Sequence, residues 1–245
     1  MTTIKLLQWN IFFKENIEHV VQFLKEVKAD IMCLQELTTA YAGNNHIDRP
    51  KFIAENIGYN YYFAPAQHFS TGHSLGNAIF AKYQISNQAS FYVKEQKEED
   101  PEPWDEGRVV ASCDVKIGKN PVTVATTHLS YTSKFIETDQ KKEEAKKLLN
   151  YVKKKPRQFI LAADLNIPPN SWTIKELEAL LPHCGPNYDF PTFASKPFKY
   201  ADFEEKELRW RLDYVFATPD IKVRSAKILK TKYSDHLPIL VEFQI

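Results

Sequence analysis

Five apolar runs in this chain abut side chains that can bind a metal or move a proton. Leu6-Leu7 leads into Gln8-Trp9-Asn10, Ile31 to Leu34 into Gln35-Glu36, and Val122 to Thr127 into His128. Phe159 to Ala163 delivers Asp164-Leu165-Asn166, and Ser234-Asp235-His236 stands directly before Leu237 to Phe243. A buried run ordinarily closes in turn residues, not in a carboxylate, amide or imidazole. Five such endings point to strand ends that converge on one polar site.

At 245 residues with 43% hydrophobic side chains, the chain can fill a substantial core, and residues 1–245 read as a single domain. Lys and Arg number 32 against 31 Asp and Glu, a net charge of +1. Bulk attraction to polyanions is therefore excluded, and any nucleic-acid binding must use a local basic patch. Cys33, Cys113 and Cys184 are isolated and lack metal-ligand spacing, as in a reduced compartment. The first residues show no secretory-signal pattern and no apolar stretch approaches a membrane span, so the expectation is a cytoplasmic, monomeric protein.

Strand-like and helix-like segments alternate. Ile17, Val20, Val21, Leu24 and Val27 share one helical face, and a strand over Ala29 to Gln35 follows. Further helices are expected over Lys51 to Ile57, Lys134 to Lys153 and Trp172 to Leu181. Strands are expected over Asn77 to Ala81, Ser90 to Val93, Val109 to Ile117, Leu212 to Phe216 and Leu237 to Phe243, with a turn at Gly118-Lys119-Asn120-Pro121. Lys94 to Gly107 reads as a surface loop. The layering expected is α/β with the polar site at one edge of its sheets.

Asp164 and Asn166, two apart on an extended chain, share a face and can orient a water and a phosphoryl oxygen; an Asx turn into Pro168 accounts for them equally well. Asp213 lies inside the apolar Leu212 to Phe216, where a carboxylate is costly unless paired, and His236 is its natural partner. His128 reads either as a core histidine or as part of the site. Oxygen donors dominate: Asn10, Glu36, Asp164, Asn166 and Asp235 favour magnesium or manganese over zinc. No H-E-x-x-H, G-x-S-x-G, P-loop or GxGxxG pattern is present.

In this order, Gln-Trp-Asn10, Leu-Gln-Glu36, Gly-Asn77-Ala-Ile, Thr-His128-Leu, Asp164-Leu-Asn166, Leu-Asp213-Tyr and Ser-Asp235-His236 resemble the endonuclease/exonuclease/phosphatase superfamily. The resemblance spans residues 6 to 243. It implies a four-layer α/β sandwich, two mixed β-sheets packed face to face and flanked by helices, and a Mg²⁺- or Mn²⁺-dependent phosphoesterase. Carried over, Glu36 resembles the principal magnesium ligand, with Asn10 and Asp235 near the metal. Asp164 looks like the residue that aligns or deprotonates the attacking water, and Asn166 like a phosphate contact. His236, oriented by Asp213, and His128 resemble the phosphate-directed histidines; Asn77 and Arg108 match positions that shape the site.

The substrate stays open at this level. Ile11-Phe12-Phe13 after Asn10 departs from the abasic-site endonucleases, whereas Arg209-Trp210-Arg211-Leu212-Asp213-Tyr214 looks like them. Trp104, Trp172, Phe190, Phe193, Phe198, Tyr200 and Trp210 fall in or near expected loops and offer stacking faces for DNA or RNA bases. Lys196, Lys199, Arg209 and Arg211 could track a phosphate backbone. A nuclease-type phosphodiesterase is the favoured reading. The alternatives are a phosphatase or phospholipase-type enzyme on a small phosphoester and a non-catalytic binding domain on the same fold.

Overall fold

A computed structural model describes residues 2–102, 105–118, 120–155, 157–200 and 203–245. In chain order the elements are β1 (Thr3–Asn10), α1 (Ile17–Val27), β2 (Ile31–Thr39), α2 (Arg49–Ile57), β3 (Asn60–His68), β4 (Ser74–Ala81) and β5 (Ile85–Lys94). There follow β6 (Arg108–Ile117), β7 (Asn120–His128), α3 (Asp139–Val152), β8 (Phe159–Asp164) and α4 (Trp172–Glu178). The chain ends with β9 (Phe198–Tyr200), β10 (Phe203–Glu205), β11 (Asp213–Ala217), β12 (Lys222–Ile228) and β13 (Ile239–Gln244). A six-stranded sheet runs β12-β13-β1-β2-β4-β3, a five-stranded sheet β11-β8-β7-β6-β5, and β9 and β10 form a small ribbon. Both large sheets are mixed: β1–β2 and β7–β8 pair in parallel and the rest antiparallel.

Alternation along each strand builds the layers. Ile4, Leu6, Ile31, Cys33, Val122, Val124, Ile160, Ala162 and Val215 form the core between the sheets. Leu7, Trp9, Met32 and Leu34 face the other way, onto α1 and α2. Phe159, Leu161, Tyr214 and Phe216 pack under α3 and α4. Continuing each inward series to the strand end changes its chemistry: Ile4 and Leu6 give way to Gln8 and Asn10, Val122 and Val124 to Thr126 and His128, and Ile160 and Ala162 to Asp164. The layer between the sheets is thus apolar at one end and polar at the other.

Several boundaries differ from the sequence reading. The third helix starts at Asp139, not Lys134, because Thr138 caps it by accepting from Lys141 N. Before it, Ser133–Phe135 forms a short 3-10 turn with Lys134 and Phe135 in the left-handed region. The strand expected to close at Gln35 runs on to Thr39, through Glu36. The polar edge strand β12 carried no apolar signal and was not expected. Gly118 enters the β6–β7 hairpin with φ +66, while Lys119 and Trp104 lie outside the described residues. No helix among the described residues is long and apolar enough to cross a membrane.

Gly107, just before Arg108, has no room for a side chain: a Cβ there would lie 2.1 Å from Ala66 O. Its N–H donates to Gln67 Oε1 at 2.9 Å, seating the end of the long loop. Gly107→Ala is expected to destabilise by about 1–3 kcal/mol through overpacking, lowering Tm by roughly 2–4 °C per kcal/mol. An unchanged melting temperature would show that the loop can move off β3 without cost.

Candidate active site

The polar ends of both sheets meet. From the six-stranded sheet come Asn10 at the end of β1, Glu36 within β2, and Asp235 and His236 before β13. From the five-stranded sheet come His128, Asp164, Arg108 and Asp213, at the ends of β7, β8, β6 and β11. Glu36 owes its position to a β-bulge. Leu34 pairs with Ala78 and Leu37 with Gly76, so Gln35 and Glu36 together oppose Asn77. Glu36 sits at φ +60, an uncommon conformation for a residue with a Cβ. Simple alternation would send it toward the helix layer; instead it lines the cleft with Asn10.

Asn10 Nδ2 donates to Glu36 Oε1 at 2.9 Å and to Asp164 Oδ2 at 3.0 Å, tying the two carboxylates together. Asp164 Oδ1 accepts from Asn166 N at 2.9 Å. Asp213 Oδ2 lies 2.9 Å from His236 Nδ1, whose Nε2 is 3.6 Å from Asp164 Oδ2. Asn166 Nδ2 donates to His128 Nε2 at 2.9 Å and to Leu129 O at 3.1 Å. Behind these, Gln35 Nε2 donates to Gln8 Oε1 at 3.0 Å and Thr126 Oγ1 at 2.8 Å, and Gln8 Nε2 reaches Asp213 Oδ1 at 3.3 Å. The site opens into a cleft of about 400 Å³.

Electrostatics separate the ionisable groups. Burial lifts the Asp164 carboxyl to about 7 against the pull of His236, and Asp213 adds to the rise. Burial alone would disfavour a charged His236, but the Asp213 and Asp164 carboxylates outweigh it and hold the imidazolium well above its ordinary range. His128 moves the opposite way, pushed down by burial and then by Arg108, His236 and Lys141. A neutral His128 accepting from the Asn166 amide fits that shift. One buried carboxylate near neutrality beside one fixed imidazolium is an arrangement suited to general-base chemistry on a charged substrate.

The Endonuclease/Exonuclease/phosphatase family model matches residues 7–236. The chain belongs to this family. No curated protein sequence matches it significantly. Among solved structures it is similar to an endonuclease/exonuclease/phosphatase from Beutenbergia cavernae DSM 12333, at TM-score 0.78 and 19% identity over 100% of this chain and 72% of that one. It is also similar to a mannosyl-6-phosphatase of Bacteroides thetaiotaomicron VPI-5482 (TM-score 0.70, 17% identity, 99% and 100% covered). A third is D. rerio TDP2 complexed with a single-strand DNA product (TM-score 0.68, 15% identity, 100% of both chains).

Endonuclease/exonuclease/phosphatase proteins hydrolyse phosphoesters and generally depend on a divalent cation. The residues here fit such an ion. Glu36 and Asp235 are two partly exposed carboxylates on one cleft, and burial pushes Asp235 up to about 6, with His236 opposing and Glu36 adding to the rise. Repelling hard oxygen donors of this kind suit a hard cation. Asn10 Oδ1 accepts from Phe12 N at 3.1 Å, which turns its Nδ2 toward Glu36 and Asp164 while the amide still offers an oxygen. Asp164, Asp213 and His236 also bring donor atoms within 4.8 Å of one another. The pull of the two carboxylates on His236 favours its protonated form, which has no lone pair left for a metal.

Other expected residues are placed differently. Asn77 Nδ2 donates to Val109 O at 3.0 Å, bracing β4 against β6 behind the cleft. Arg108 lines the cleft and pairs with Glu106 at 3.1 Å. Of the loop aromatics, Phe193, Phe198 and Tyr200 line the cleft, Phe193 being almost fully buried against His236. Trp210 packs on Phe135 and Trp172 against the α3–α4 layer, while Phe190 stands exposed away from the cleft lining. Arg211 is buried and donates to the carbonyls of Asp213, Asn187 and Phe190, so it cannot track a backbone, while Arg209 pairs with Glu205 outside the cleft lining and stays more than half exposed. Lys196 lines the cleft but is paired with Glu15. Phe12, Phe13, Lys14 and Tyr131 line the cleft and were not expected there. Gln8 and Gln35 could have been found, since each occupies the inward position just before the site.

Proposed function

We propose that this chain, acting as one domain and as a monomer, is a phosphodiesterase dependent on Mg²⁺, with Mn²⁺ able to substitute, that cleaves its ester by in-line attack of water. The observation that carries this is the buried Asp164 carboxylate 3.6 Å from His236, whose imidazolium lines the cleft together with Glu36 and Asp235. Asp164 aligns and deprotonates the water, its oxygens fixed by Asn10 and the Asn166 N–H. His236, held by Asp213, binds the scissile phosphate and meets the charge that develops on it. Asn166 with neutral His128, and Arg108 from β6, contact the same phosphate, while Asn77 holds the sheets behind it. A cation held by Glu36 with Asn10 and Asp235 would supply Lewis-acid charge to the phosphoryl oxygens.

A nucleic acid strand is the favoured substrate. Phe12, Phe13, Phe198 and Tyr200 rim the cleft with Lys14 and Lys199, rings for bases beside cations for phosphates. The D. rerio neighbour holding a single-strand DNA product supports this choice, and the mannosyl-6-phosphatase neighbour makes a small phosphoester the competing one. The test is a substrate panel with Mg²⁺, Mn²⁺ and EDTA. Cleavage of a labelled single-stranded oligonucleotide, lost in EDTA and weakening steeply with salt, is expected. Hydrolysis of a sugar or inositol phosphate with no oligonucleotide cut would move the chain to the small-molecule branch. Binding without turnover of any of them would leave a non-catalytic domain. Glu36→Gln is expected to raise the Mg²⁺ needed for half-maximal activity by roughly 10–100-fold or more, the scale at which even groups behind metal ligands act. An unshifted metal titration would remove Glu36 from the cation site.

A further inference from the structure

Helix α3 contributes nothing to the cleft lining, yet two of its charged residues are buried. Lys141 is 0% exposed and Glu144 2%. They lie three apart, on one helical face. Lys141 Nζ donates to Asn166 O at 2.6 Å and to Thr132 Oγ1 at 3.0 Å. Glu144 accepts from Ser130 N at 3.0 Å and from Ser130 Oγ at 2.7 Å. Lys141 therefore ties the loop after β8 to the loop after β7, and Glu144 grips the loop after β7 as well.

Those loops carry the two members of one contact, Asn166 and His128, which meet at 2.9 Å. Asn166 is in the left-handed region at φ +51, which asparagine takes more readily than most residues with a Cβ. Its carbonyl is the group that Lys141 holds. Burying an ammonium is costly: burial takes Lys141 down to about 7 even with Glu144, Asp164 and Glu137 favouring its charge. Apolar residues of similar volume commonly stabilise as well as a buried ionic group or better. The charges at 141 and 144 serve geometry that leucines could not.

We propose that Lys141 and Glu144 are positioning residues, a clamp that holds the β7 and β8 loops in register and so sets the His128–Asn166 contact. The proposal rests on the phosphodiesterase reading for its kinetic consequence but not for its structural one. Two readouts separate them: oligonucleotide cleavage with Mg²⁺, and the imidazole ¹⁵N resonances of His128, with His183 beside Arg211 as an internal control. K141M removes the donor at similar length. It is expected to melt cooperatively, to lose roughly ten- to a hundredfold in kcat with KM little changed, and to shift the His128 signals while those of His183 stay. K141R, which can still donate to Asn166 O, should recover much of the loss. E144Q keeps one acceptor for Ser130 and should fall between. If K141M fails to fold, the same comparison is made between E144Q and wild type. Unmoved His128 resonances in a folded variant, or a loss confined to KM, would overturn the clamp. A wild-type protein that cleaves no phosphoester would sink the phosphodiesterase reading, and the His128 signals would then decide the clamp alone.

Discussion

Asp164→Asn is expected to lower kcat by about 10²–10⁴-fold, the range for a positioned general base, with little change in KM. The substitution keeps the shape of the side chain and removes its ability to take a proton. It should also change stability in a way that a merely structural residue would not. The folded-state value of about 7 lies above the ordinary 3.8. The stabilisation Asp164 gives is therefore complete below about pH 4 and lost as pH rises through about 7. Asn does not titrate. Measured in EDTA, the wild-type Tm should fall relative to that of the variant across this window. Retained turnover, or parallel Tm profiles, would remove Asp164 from its assigned role.

His236→Ala should cost on the order of 10²–10³-fold in kcat, the scale seen when one preorganised charge-stabilising donor is lost. Asp213→Asn should act in the same direction, because it withdraws the carboxylate 2.9 Å from Nδ1 that keeps the ring charged. It should also move the alkaline limb of the kcat profile to lower pH, since His236 is held well above its ordinary value mainly by that neighbour. The double variant should be little worse than His236→Ala alone, as Asp213 acts through the imidazole. Losses that simply multiply would end the pairing.

What could be read in advance depended on whether the backbone was regular. Apolar runs ending in Asn10, His128 and Asp164 marked the ends of β1, β7 and β8, and their convergence followed from there. The same logic made an unpaired Asp213 improbable, and the structure brings it to His236. Glu36 shares the site for a reason no local pattern displays, because a bulge and a left-handed backbone re-aim it. Lys141 and Glu144 looked like solvent residues of a charged helix, as charged residues usually are. Rings in or beside loops, such as Trp210 and Trp172, could not be sorted from Phe198 without knowing which way each segment folds back.

The amide contacts joining the two sheets are concentrated at one end: Gln35 to Thr126, Gln8 to Asp213, Asn10 to Asp164 and Asn77 to Val109. Elsewhere the sheets meet mainly through apolar side chains, which attract without direction and tolerate sliding. A slip of one residue, about 3.3 Å, would leave most of that grease in contact but strand every amide. The polar end therefore serves as an alignment key, and mating the halves correctly and assembling the catalytic groups are one event. An imperfectly docked molecule is inactive by construction, so such a protein could not work while misassembled.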